Sequence, residues 1–400
     1  MPISKVRSHA LLALLGACFC LGCGAADSRN PALSPIDPVA LRDSVHRLAK
    51  EMLVPGAVVI LRTPNGEFKT TYGVTTYHGK TPTSFDQHVR VGSNTKTWTT
   101  TVILQLVQEG RLRLGDPVAK YRPDVPNGKN ITIEQLLTMR SGLYNYSESL
   151  ELNKTLDEHP GKAFTAEQLL AVSFKHPPVF APGTKFGYSN TNTILLGLIA
   201  EKVEGQPLAD IMRDRLFVPT GLKHTLLPAM NSNVIPEPYT HGYMYGTNVM
   251  TMDKPALPDS MQAAARAGRL VPVDRTTANP SWTWAAGEGI STANDLVGWV
   301  QALVSGSLLK PEMQRRRLAS VRPVDPTDPQ SASYGWGIAK FGDLYGHTGE
   351  MPGYNSFMGH DPVNNVTLVV WTNLAPAVDG RDPATTIART LIGMVYPVSR

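Results

Sequence analysis

Ser93 and Lys96 stand three residues apart in the run VRVGSNTKTWTTTVILQLV, residues 89–107. Apolar residues recur at helical spacing from Val102 to Val107, so the pattern predicts a short strand, a turn at Gly92 and then a helix. A three-residue step on a helix places two side chains on one face. A serine hydroxyl is a weak nucleophile until a base takes its proton, and a desolvated lysine is such a base. The pair therefore has the makings of an activated acyl acceptor at a helix start. Alone it is weak. With 23 serines and 16 lysines in 400 residues, about one Ser-x-x-Lys arises by chance. A second copy, Ser307 and Lys310, lies between Gly306 and Pro311 and reads as a turn between two helices.

Two further stretches carry residues suited to the same chemistry. Tyr188-Ser189-Asn190 closes a loop just before a predicted helix and is the chain's only Tyr-x-Asn. A phenol passes protons between a nucleophile and a leaving group. An asparagine two residues on suits a substrate amide and the lysine. His347-Thr348-Gly349 ends a predicted strand. A free strand edge offers donors and acceptors to an extended substrate, and Gly349 would let a substrate backbone come close. The next N–H, on Glu350, would join that of Ser93 around a developing oxyanion. One such donor is worth roughly a hundred- to a thousandfold in rate. Singly, these stretches also read as an ordinary helix cap and a strand-end turn.

Together and in this order, Ser93/Lys96, Tyr188/Asn190 and His347-Thr348-Gly349 resemble the serine β-lactamase and penicillin-binding-protein superfamily. The pattern is most similar to D-alanyl-D-alanine carboxypeptidases related to class C β-lactamases, and to their esterase cousins. The resemblance spans nearly all of residues 50–396, including the Arg140-Ser141-Gly142-Leu143 turn and Tyr345-Gly346 ahead of His347. It implies that Ser93 is acylated, that Lys96 and Tyr188 handle the proton, and that Asn190 holds the substrate amide. It further implies that His347, Thr348 and Gly349 line the cleft, that the N–H groups of Ser93 and Glu350 bind the oxyanion, and that Trp284 roofs the cleft. One departure stands out. Such carboxypeptidases resemble one another in carrying an arginine for the peptide carboxylate on the preceding strand. Here Ala339 holds that position, with Lys340 beside it, and Glu350 adds an acidic residue that would repel an anionic substrate.

The elements that must position these residues follow from pattern. Residues 39–53 read as an amphipathic helix, 56–62 and 67–73 as a hairpin across Pro64-Asn65-Gly66. Gly110 is placed to end the Ser93 helix. Segments 133–139, 165–174 and 193–203 read as helices, and 228–280 as long surface loops, some bordering the cleft. Helical spacing returns at 291–304, strands at 334–341, 344–348, 354–360 and 366–373, and a helix at 382–395. Strands at both ends with helices between predict an α/β (α+β) fold. One antiparallel sheet is shared by the chain ends, flanked by helices, with a mostly helical insert. The expected organisation is a signal segment over 1–26, a linker over 27–38 and one catalytic domain over 39–396. Its sheet part falls at about 39–110 and 288–396, and its insert at about 111–287. The domain has no internal repeat.

Composition narrows the setting. Lys5 and Arg7 precede an apolar run over 10–21, the form of a signal segment and short for a membrane span. All three cysteines, Cys18, Cys20 and Cys23, fall there. The runs ending at Cys18 and Cys23 resemble a lipoprotein box, with Cys23 ahead because a Pro-rich linker follows it. The expected place is the cell envelope, lipid-anchored outside the cytoplasmic membrane, or secreted. The body without cysteine has neither disulfide nor thiol chemistry. A net charge of +5, lowered by loss of Lys5 and Arg7, argues against nucleic acid. Arg315-Arg316-Arg317 reads as a solvated helix face. The ten histidines show no ligand spacing, so no metal and no cofactor is expected. The leading expectation is a D-Ala-D-Ala carboxypeptidase-like hydrolase; the alternatives are an esterase, amidase or β-lactamase using the same chemistry, and an envelope protein that binds penicillin or peptidoglycan without turnover.

Overall fold

The computed structural model describes residues 33–328 and 331–396. The signal-type segment, with Cys18 and Cys23, lies outside them. The N-terminal hairpin forms as β1, Gly56–Thr63, and β2, Gly66–Gly73, with Gly56 opposite Gly73. The other end of the chain supplies β3, Arg322–Pro323, β4, Ser333–Tyr334, and β5, Ala339–Phe341. It also supplies β6, Leu344–Met351, β7, Tyr354–Asp361, and β8, Val366–Thr372. They make one sheet in the order β2-β1-β8-β7-β6-β5-β4-β3, every pair antiparallel. The two chain ends meet where Ala57 faces Thr372 and Arg62 faces Thr367.

Five helices matter to the site: α1, Pro38–Glu51; α2, Thr95–Gln108; α3, Asn190–Glu204; α4, Ala293–Ser305; and α5, Pro383–Val395. Strand β1 is apolar on both faces because both are covered. Ala57, Val59 and Leu61 pack with Leu41 and Val45 of α1 and Ile387 and Leu391 of α5. Val58 and Ile60 pack with Trp98 and Ile103 of α2 and Trp299 of α4. Each such side chain contributes about 1.5–3 kcal/mol by burial. Helix α2 is buried almost all round despite its threonines. Their hydroxyls bond the helix's own carbonyls, Thr100 to Lys96 at 2.8 Å and Thr101 to Thr97 at 2.6 Å, which removes the cost of burying them.

Three expectations are corrected. The strand expected over 334–341 is broken in two by Gly335-Trp336-Gly337. Gly337 has φ +62, and a Cβ there would stand 2.0 Å from Thr100 Oγ1. The stretch 228–280 is not only surface loop. Tyr243 donates to the Asn373 carbonyl at 2.9 Å, Tyr245 and Leu257 join the core under α5, and Asp259–Arg266 is a helix. Arg317 is fully buried rather than solvated and donates to Thr101 Oγ1 at 2.9 Å, while Arg315 and Arg316 are exposed. Among the described residues no helix is long and apolar enough to cross a membrane.

Candidate active site

Ser93 sits in a single 3-10 turn, Gly92–Asn94, that feeds α2. Gly92 takes φ +54, a backbone shape that glycine adopts without strain. Asn94 Nδ2 donates to Val91 O at 3.3 Å and to Ser356 Oγ at 2.7 Å, and Ser356 Oγ donates to Val91 O at 2.9 Å. The turn is thereby tied to β7. It also abuts β6, whose pairing with β5 ends at Gly346 opposite Ala339. From His347 onward β6 therefore has a strand partner only on its β7 side. A Cβ on Gly92 would lie 2.6 Å from Glu350 N, and one on Gly349 would lie 1.9 Å from Val91 O. Gly349 thus makes room for the protein's own backbone, not for a substrate's, which corrects the role expected of it.

Lys96 is fully buried. Its Nζ lies 2.8 Å from Ser93 Oγ and donates to the Ala286 carbonyl at 2.8 Å. Burial holds the ammonium well below the usual lysine range. In the neutral amine, the N–H given to Ala286 leaves a lone pair free to take the serine proton. The nitrogen also lies 4.9 Å from the centre of the Tyr188 ring.

Tyr188 is 36 % exposed at the mouth of the cleft. Surrounding protein raises its phenol above the ordinary value, and a hydrogen bond with Ser93 opposes the rise. His347 is buried, not solvated. Its Nδ1 is 2.6 Å from Thr348 O and its Nε2 3.1 Å from the Tyr334 hydroxyl. A carbonyl only accepts, so Nδ1 carries the proton and Nε2 accepts from Tyr334. Burial and nearby Lys96 push its pKa down to about 3, so it is neutral at physiological pH.

The structure brings Ser93, Tyr188, Asn190 and Glu350 to one cavity of about 290 Å³. Asn190 is not bonded to the lysine as expected. Its Nδ2 donates to Ser147 Oγ at 3.0 Å and its N–H to Asn145 Oδ1 at 3.0 Å. Trp284 does not line this cavity. It is buried in the core at φ +30, against the site a Cβ would occupy on Gly197 of α3. The indole in the cleft belongs to Trp282. Lys340 is remote too. Its Nζ lies 5.2 Å from the Tyr345 ring centre and it lines a different hollow with Asp343 and Asp361. A larger cavity, about 610 Å³ between Ala209 and Leu227, contains none of these residues. The nucleophile and its base, not volume, locate the site. Asn145, Ser147 and Trp282 carried no signal in the sequence, because they sit in loops without periodicity. Their one hint was proximity to the Ser141-Gly142 turn and to Trp284.

Two acids complete the electrostatics. Glu288, fully buried two residues beyond Ala286, is raised to about 8 by burial against the pull of Arg90. Desolvation and the neighbouring carboxyl of Asp382 raise Glu350 above the usual carboxylate range. The residue as a whole is exposed at the strand edge.

This fold and this constellation define a class. A family model described as Beta-lactamase matches residues 41–392, and the chain belongs to that family. It is 27 % identical over 347 residues to "Putative penicillin-binding protein PbpX" of Bacillus subtilis, covering 85 % of this chain and 75 % of that protein. It is 27 % identical over 308 residues to "Putative D-alanyl-D-alanine carboxypeptidase" of Escherichia coli, covering 71 % and 68 %. A D-stereospecific amidohydrolase from Streptomyces superposes with TM-score 0.75 at 30 % identity, over 89 % of this chain and 98 % of that one. The antiparallel sheet with flanking helices is the β-lactamase and penicillin-binding-protein fold, and the chain is serine-hydrolase-like.

Proposed function

We propose that this protein is a serine hydrolase that opens amide or ester carbonyls through an acyl-enzyme on Ser93. The observation that carries this reading is the 2.8 Å approach of a fully buried Lys96 to Ser93 Oγ. Ser93 Oγ attacks the carbonyl while its proton passes to Lys96 Nζ. The N–H groups of Ser93 and Glu350 hold the oxyanion. Collapse expels the amine or alcohol, which leaves with a proton relayed through Tyr188. Water then adds to the ester and Ser93 regains its proton. Asn190 and the open backbone edge of β6 hold the substrate, and His347, buried and bonded to Tyr334, backs that edge from within.

Within this chemistry an amidase or esterase is favoured over a D-Ala-D-Ala carboxypeptidase. The latter is supported by the name of the Escherichia coli relative, but a peptide carboxylate needs a cation, and Lys340 lines another hollow. The test is intact mass after fluorescent penicillin, p-nitrophenyl acetate or a D-Ala-D-Ala peptide, on wild type and Ser93→Ala. Acyl adducts on the wild type alone are expected; adducts on both variants would end the reading. A penicillin adduct that never turns over would favour a binding protein instead. We also propose that Cys23, or else Cys18, is lipidated and places the protein on the outer side of the cytoplasmic membrane. Absence of radioactive fatty acid on the exported protein would refute it.

A further inference from the structure

The cleft has an unusual charge balance. Of the residues lining it, Glu350 is the only acid, and no lysine, arginine or histidine is among them. Ser93, Asn145, Ser147, Tyr188, Asn190, Asn248 and Thr251 supply the polar remainder. The nearby bases do not alter this. Lys96 is buried against Ser93 and Ala286, and His347 is buried and satisfied by Tyr334 and Thr348. Ala339, where a carboxylate clamp was sought, is buried with Met139 and Tyr334.

Glu350 is also well placed. It alternates out of β6 between buried Gly349 and buried Met351 and is exposed. Its backbone nitrogen is within 2.6 Å of the Cβ position of Gly92, the residue before the nucleophile. Among the described residues it forms no ion pair with a lysine or arginine. Its carboxyl neighbours that of Asp382 at the start of α5, and that acid together with desolvation holds Glu350 above the usual carboxylate range. A cation arriving beside two neighbouring carboxyls favours their charged form; an anion does not.

We propose that Glu350 is the specificity residue for a positively charged amino group on the substrate. The preferred substrates are then amides or esters of amino acids or short peptides with a free ammonium near the scissile carbonyl. The inference rests on the acyl-enzyme reading and narrows its substrate class. One hydrogen bond to a charged group is worth roughly ten- to a hundredfold in kcat/KM.

The test compares D-alanine p-nitroanilide with N-acetyl-D-alanine p-nitroanilide, with p-nitrophenyl acetate as a neutral control. Wild type should prefer the free amine at least tenfold, and Glu350→Gln should bring that ratio towards one through KM. The ratio is read within each variant, so a general loss of activity does not enter it. A second measurement needs no variant: 2-phenylethylamine should inhibit wild-type ester turnover at least tenfold more tightly than 2-phenylethanol. Equal use of both anilides, or equal inhibition, with p-nitrophenyl acetate still acylating Ser93, overturns the role of Glu350 and leaves the nucleophile standing. No acylation by any of the three overturns both.

Discussion

Asn94 and Ser356 lie 262 positions apart in the chain and meet at 2.7 Å. Both also bond the Val91 carbonyl, so one buried polar node fixes the turn that carries Ser93 to the middle of the sheet. Asn94→Ala should cost about 1–3 kcal/mol in urea unfolding. It should also slow acylation of Ser93, read by intact mass. Full stability with full acylation speed would show that the node does not position the nucleophile.

Lys96 sets the acid side of the pH profile. Burial holds its ammonium below the usual range, so the reactive neutral amine gains as pH rises through that lowered value. With p-nitrophenyl acetate, kcat/KM should climb with pH and then level off. Lys96→Arg keeps its charge at every accessible pH. It should lose the limb and roughly a hundred- to ten-thousandfold in rate. An unchanged limb in that variant would assign it to another group.

Glu288 should make the protein less stable in alkali. Its pKa is raised from 4.5 to about 8 by burial. Below about pH 4.5 the group is neutral in both folded and unfolded chains. Between there and about pH 8 the unfolded chain releases its proton first, so stability falls as pH rises. The loss amounts to a few kcal/mol. Glu288→Gln should flatten this part of the curve of unfolding free energy against pH, and an identical slope in the variant would rule out the assignment.

Gly349→Ala should act through the backbone. The added carbon would stand 1.9 Å from Val91 O, so β6 and the Ser93 turn must separate. Overpacking of this kind costs about 1–3 kcal/mol. Thermal unfolding should report the loss, and penicillin labelling of Ser93 should fall with it. A stable, fully labelled variant would mean the two backbones are not held together as described.

Much of the fold was legible from period and punctuation. The hairpin at β1 and β2, the strands β6 to β8, and helices α1 and α5 follow alternation, helical spacing, Gly and Pro. Such local signals fail where a segment is shaped by what covers it. Gly335-Trp336-Gly337 reads as strand but breaks because Thr100 of α2 occupies the space beside Gly337. Arg317 reads as solvated, yet it is buried and bonded to Thr101. Tyr243 reads as loop, yet it bonds the chain just beyond β8.

From residue types and spacing alone came the nucleophile, its lysine, the phenol and the edge strand, because side-chain chemistry and short-range geometry belong to the chain itself. Which indole faces the cleft, what Gly349 makes room for and where Lys340 lies were decided by packing. Those are contacts between segments far apart in sequence, and burial, not spacing, makes Lys96 a base and leaves Glu350 the one acid lining the cleft.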